Sequence, residues 1–160
     1  MARDRTATSQ TESPFSLNVT SYRDVYQATP MQRIRLLKIG LNARDAKTIL
    51  ASLDIPQRRT LQAVNIARAK LVRMARLNAT LPAAEGERVL GVAKLVGQVQ
   101  LMIEESGEPG SFNAPAWLSH WLVEPLPALD GVSPIELLDT MEGQGVIATL
   151  LNQMQSGTYA

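Results

Sequence analysis

The run Pro56-Gln57-Arg58-Arg59-Thr60-Leu61-Gln62-Ala63-Val64-Asn65-Ile66-Ala67-Arg68-Ala69-Lys70-Leu71-Val72-Arg73-Met74-Ala75-Arg76-Leu77 carries two short segments with apolar residues at helical spacing. They span about 56 to 63 and 67 to 77 and are joined by Val64-Asn65-Ile66. A tight turn between crossed helices needs a residue that tolerates positive φ, and asparagine is the best side chain for that after glycine. Val64 and Ile66 can then point inward, where Leu61, Leu71 and Met74 complete a small core. The run predicts a helix-turn-helix, with Leu61 standing where such motifs usually carry alanine. From Pro56 to Leu81 it holds no carboxylate. A helix entering the major groove of DNA reads base edges with side chains near its N-terminus and holds phosphates with flanking cations. Arg68 and Lys70 suit the first role; Arg58, Arg59, Arg73 and Arg76 suit the second. The same residues also read as a solvated basic face, or as one that docks on an acidic part of the chain.

Upstream, Thr29 can cap a helix whose first residue is Pro30 and which Gly40 stops, with Met31, Ile34, Leu37 and Ile39 on roughly one face. Asn42 can cap the next helix, with Ala46, Ile49, Leu50 and Leu53 at helical spacing up to Asp54-Ile55-Pro56. Residues 1–29 are rich in Ser and Thr, lack apolar periodicity and read as a flexible arm. Downstream of Leu81-Pro82, the longest helix runs from Glu85 to about Glu105, with acidic residues in its first turn where the helix dipole favours them. A loop follows, and then Asn113 can cap a helix to about Val123. Ser133-Pro134-Ile135-Glu136 has the form of a capping box with proline at the first helical position, starting a short helix through Asp139. Thr140 caps the last helix, whose face of Val146, Ile147, Leu150, Leu151 and Met154 ends at Gly157. No segment alternates with period two and no two-residue hairpin turn is present, so the fold class is all-α, a helical bundle. The organisation expected is an arm over 1–29, a helix-turn-helix region over 30–84, a connecting and dimerising helix and loop over 85–112, and a final domain over 113–160.

The chain has 160 residues, no cysteine and 45% hydrophobic residues, enough to fold around one core without disulfides or metal staples. Cysteine nucleophiles and zinc-cysteine sites are excluded, and the lack of thiols fits a reducing cytoplasm. No apolar run approaches the roughly 20 residues of a membrane span, and the N-terminus has no apolar stretch after its charges, so neither a membrane segment nor a signal peptide is expected. Net charge is +1 for the whole chain, but it is unevenly spread. Residues 31–84 carry +9 and residues 85–160 carry −8, counted from the sequence. Such asymmetry suggests a polyanion partner for the basic part and a different partner for the acidic part, or else halves that attract each other.

Catalytic candidates are few. His120 is the only histidine. With Glu124 four residues on it makes an incomplete metal pair, since a site needs at least three protein ligands. Gly143-Gln144-Gly145 follows a turn and not a strand, which argues against dinucleotide binding and for close packing at the start of the last helix. Trp117, Leu118, Trp121 and Leu122 form an apolar stripe suited to a core or an interface. No enzyme activity and no cofactor is expected.

Residues Ala116-Trp117-Leu118, Pro125-Leu126-Pro127-Ala128-Leu129-Asp130-Gly131, Ser133-Pro134-Ile135-Glu136-Leu137-Leu138-Asp139-Thr140, Gly143, Val146 and Gly157-Thr158-Tyr159-Ala160 together resemble the toxin-binding domain of the Xre/MbcA/ParS antitoxins. The segment from Glu87 to about Glu105 and the helix-turn-helix before it are similar to that family too. The resemblance spans about residues 31 to 160, leaves out the arm, and departs from the family where Asn65 replaces the usual turn glycine. It implies an antitoxin that covers the active site of a RES-domain toxin that degrades NAD, and that represses its own operon by binding operator DNA as a homodimer. The alternative is a solitary Xre-like transcriptional regulator. The implied toxin contacts lie in the segment from Pro125 to Thr140 and in the last helix with its tail: Glu136, Asp139, Thr140, Glu142, Leu150, Gln153, Met154, Gly157, Tyr159 and Ala160.

Overall fold

In the computed structural model, which describes residues 16–107 and 110–157, one long helix is the spine of the bundle. α6 (Ala83–Glu105) has 23 residues and is about 35 Å long at 1.5 Å per residue. Its buried residues Val89, Leu90, Val92, Ala93, Leu95, Val96 and Val99 span more than half of the helix circumference and not a narrow stripe, so the helix must be covered on several sides. The cover comes from α1 (Tyr22–Gln27), α2 (Pro30–Ile39), α3 (Ala43–Ala51), α7 (Ala114–Val123) and α8 (Met141–Ser156). α4 (Gln57–Ala63) and α5 (Arg68–Arg76) pack on α3, and two 3-10 turns, Pro127–Leu129 and Pro134–Leu137, connect α7 to α8. Among the described residues there is no strand, only an isolated antiparallel bridge between Asn42 and Thr80. The protein is an all-α helical bundle.

The helix starts follow from side-chain oxygens that satisfy otherwise orphaned backbone N–H groups. Thr29 and Gln32 form a reciprocal capping box before Pro30. Asn42 accepts from the Arg44 amide at 2.8 Å, Asn113 from Ala116 at 3.0 Å and Thr140 from Gly143 at 2.9 Å. Gly40 at φ 108° and Gly157 at φ 72° end α2 and α8.

The structure departs from the sequence expectations at four places. The flexible arm expected over 1–29 is corrected for its second half: residues 22–27 form α1, with Val19 and Val25 buried. Gly97 of α6 makes this possible, because a Cβ there would collide with the Tyr22 carbonyl. Arg23 pairs with Glu104 at 2.7 Å, and the Arg33 guanidinium donates to the carbonyls of Val25, Tyr26 and Ala28, closing the C-terminal end of α1. Residues 1–15 lie outside the described residues. Second, Ser133 makes no cap; its hydroxyl donates to the Val123 carbonyl at 3.1 Å, and the segment after it is a single 3-10 turn. Third, α2 buries none of its residues, and Met31, Ile34 and Ile39 remain exposed. Fourth, Gly143 does serve close packing, against the Leu137 backbone, but Gly145 has nothing within 4 Å of where its Cβ would be. The two tryptophans stack with ring centroids 6.2 Å apart, Trp121 buried and Trp117 partly so.

Candidate functional site

The basic helix-turn-helix is built as its sequence requires. Asn65 adopts φ 53°, and its neighbours Val64 and Ile66 are buried with Leu61 and Leu71. The turn is braced from the spine, because Arg88 of α6 donates to the Val64 carbonyl at 2.7 Å and to the Asn65 carbonyl at 3.2 Å. Arg58, Arg59, Arg68, Arg73 and Arg76 are exposed. At about 100° per residue, Lys70 points about 200° away from Arg68 around α5, and it is engaged elsewhere. Its ammonium lies 2.8 Å from Glu85 at the start of α6, and the second oxygen of Glu85 is buried without a hydrogen bond. Moving Lys70 to DNA would strand that carboxylate. Sequence reasoning missed two further cations: Arg44 and Lys47 of α3 line a cavity of about 490 Å³ together with Arg76 of α5.

The residues singled out in the C-terminal part fall on two surfaces. Glu136 and Asp139 line a cavity of about 310 Å³ with Arg59 and Gln62 of α4, so an acidic edge meets the basic motif. Glu142, Leu150 and Gln153 line a groove of about 430 Å³ on the outer face of α8, with Met141, Gly145, Val146 and Thr149. Leu150 itself is 7% exposed and forms the floor. Thr140 is exposed but its hydroxyl caps α8. Met154 packs on the core, and Gly157 ends the helix. Tyr159 and Ala160 lie outside the described residues.

The groove has a rigid base. Gln144 is buried and its amide donates to the carbonyls of Arg88 at 3.0 Å and Leu138 at 2.9 Å, in space left by Gly91. Gln98 of α6 donates to the Ala148 carbonyl at 3.0 Å and to Asn152 at 2.9 Å. Buried polar groups satisfied in this way fix the rotation of α8 on α6, and thereby decide which side chains face outward. A third cavity, of about 300 Å³ and not foreseen from the sequence, lies between α2, α6 and α8. It holds Arg33 and Lys94, both with pKa lowered first by burial; for Lys94 the nearby Arg33 charge adds to the lowering. Among the described residues no group of three or more His, Asp or Glu could hold a metal ion, and His120 is exposed on α7. No helix among them is long and apolar enough to cross a membrane.

Residues 111–157, which contain α7, both 3-10 turns and α8, match the family described as antitoxin Xre/MbcA/ParS C-terminal toxin-binding domain. The chain is also similar to a protein of Sphingobium sp. (strain YBL2) named Prs ADP-ribosylating antitoxin. The two are 49% identical over 140 residues, covering 88% of each chain.

Proposed function

The chain belongs to the Xre/MbcA/ParS antitoxin family and is the antitoxin of a toxin-antitoxin system, and from that premise we propose that it neutralises a RES-domain toxin that consumes NAD by covering the toxin's active site. The observation that carries this reading is the outer face of α8: a groove with partly exposed apolar side chains, Met141 and Val146, on a floor locked by buried glutamines, inside the segment matched as toxin-binding. The relative's name speaks of ADP-ribosylation, a reaction that takes ADP-ribose from NAD, which is compatible with an NAD-consuming toxin. A site that holds NAD binds a pyrophosphate and so favours basic side chains. Glu136, Asp139 and Glu142 would complement it.

The protein's own part in this reaction is inhibition, with no catalytic step. The test uses the cognate toxin, which in this family is usually encoded beside the antitoxin. Purified toxin should lose NAD consumption on mixing with the full-length protein, and a chain lacking residues 157–160 should inhibit more weakly if these residues take part in toxin contact. Full inhibition by the shortened chain would reject the tail's role. Removing everything after Asn113 would be uninformative, because it strips α7 and α8 from the apolar surface of α6.

The second half of the proposal is repression of the operon by a homodimer whose two helix-turn-helix motifs take adjacent half-sites of operator DNA. The exposed cations Arg58, Arg59, Arg68, Arg73 and Arg76, with Arg44 and Lys47 beside them, support it. In this arrangement Lys70 stays with Glu85 and positions the recognition helix. Replacing Arg73 and Arg76 together by alanine should reduce the slope of log affinity against log salt by about 2 on the operator fragment. An unchanged slope would remove these residues from the DNA interface. A solitary regulator would bind the same DNA but leave the toxin active.

A further inference from the structure

The cleft between α2, α6 and α8 is lined mostly by residues outside the segment matched as toxin-binding, yet it shares Met141 and Gly145 with the α8 groove. The two form one surface with Gly145 as the saddle between them. Gly145 is unlike the other glycines inside helices. Gly86, Gly91, Gly97 and Gly143 each face a close neighbour of this chain, whereas among the described residues, outside its chain neighbours and its own helix backbone, nothing lies within 4 Å of a Cβ at Gly145. A glycine inside a helix weakens that helix relative to alanine, and here no internal contact requires it. On the far side of the saddle α2 presents Ile34, 41% exposed. Lys94 also lines the cleft, and no ion pair or hydrogen bond is found for it among the described residues, while Arg33, which lines it too, is occupied by the end of α1.

The geometry points to a toxin interface that continues from α8 across Gly145 into this cleft. The toxin's backbone passes closely over Gly145, an apolar side chain of the toxin enters between Ile34 and Met141, and an acidic group of the toxin pairs with Lys94. The occupant is the toxin because the cleft is continuous with the surface that the toxin-binding segment presents, and the inference rests on that reading. It assigns toxin contacts to α2 and α6.

The experiment is calorimetric titration of the cognate toxin with single-site variants, each checked for helix content and melting temperature. Gly145→Ala should raise the melting temperature of the free protein and weaken toxin binding, a pairing that a merely structural role does not produce. Ile34→Glu and Lys94→Glu should each weaken binding by about tenfold or more, a loss of about 1.4 kcal/mol. Leu77→Glu, on a side chain exposed at the end of α5, should change nothing. If Val146→Glu weakens binding but Ile34→Glu, Lys94→Glu and Gly145→Ala bind as tightly as the parent, the toxin stops at α8 and the inference is overturned while the toxin-binding reading stands. If Val146→Glu also binds normally, that reading itself fails. Sedimentation equilibrium supplies the last outcome: should Ile34→Glu abolish self-association and leave toxin affinity intact, the cleft is a contact between copies of this chain and the inference is wrong.

Discussion

Single residues show where internal packing constrains the chain and where it does not. Gly97 is fixed by the fold: alanine there would push into the Tyr22 backbone, and Gly97→Ala should destabilise the protein by about 1–3 kcal/mol, read as a lower melting temperature and loss of α1. Lys94 has the opposite character. Burial and the Arg33 charge lower its pKa from the ordinary value of 10.5, so its charged form is disfavoured by folding. The resulting penalty is fully present while lysine is charged in both states. It shrinks as pH rises through the folded-state value and is gone above the unfolded one. Lys94→Met should therefore be more stable than the parent at neutral pH, with the gain fading toward alkaline pH; equal stability at all pH values would show that the ammonium is not desolvated. Asn65 was legible in the sequence because positive φ selects for a few residue types. The Lys70–Glu85 pair was not, because its partners are 15 residues apart in sequence and on different helices.

At the scale of elements, caps and breakers made most helices legible. Thr29-Pro30, Asn42, Asn113 and Thr140 start helices, and Gly40 and Gly157 stop them. α1 carried no such signal. It has six residues and one buried side chain, too short to form by itself, and it exists because α6 offers it a seat. Ser133 had the right neighbours for a capping box, but the Val123 carbonyl captures its hydroxyl. These roles separate by substitution. Asn113→Ala should cost about 1 kcal/mol in thermal unfolding as a lost cap. Ser133→Asp, which preserves capping ability, should also destabilise, because a carboxylate cannot donate to Val123; stabilisation by this change would restore the cap reading. The sequence put Met31, Ile34, Leu37 and Ile39 on roughly one face of α2, and only the packing shows that Ile34 lines a cleft and that Met31 is exposed.

For the molecule as a whole, the charge division read from the sequence is real in space but not clean. The basic motif is tied to the acidic part by Lys70 and Glu85, by Arg88 bracing the turn, and by Arg59 beside Glu136 and Asp139. A single apolar core joins residues from α1 to α8, so the regions expected at 30–84, 85–112 and 113–160 share α6 as their common support. That arrangement places the basic motif and the α8 groove on one body. Neutralising Glu136, Asp139 and Glu142 together to Gln, Asn and Gln should slow association with the toxin at low salt, with the difference vanishing as screening increases. Unchanged rates at low salt would reject electrostatic steering. The proposed neutralisation of an NAD-consuming toxin is tested most directly by following NAD consumption by the cognate toxin, with equimolar parent protein or its Val146→Glu variant added. The parent should stop the reaction and the variant should leave it running; inhibition by both, or by neither, would contradict a neutralising surface on α8.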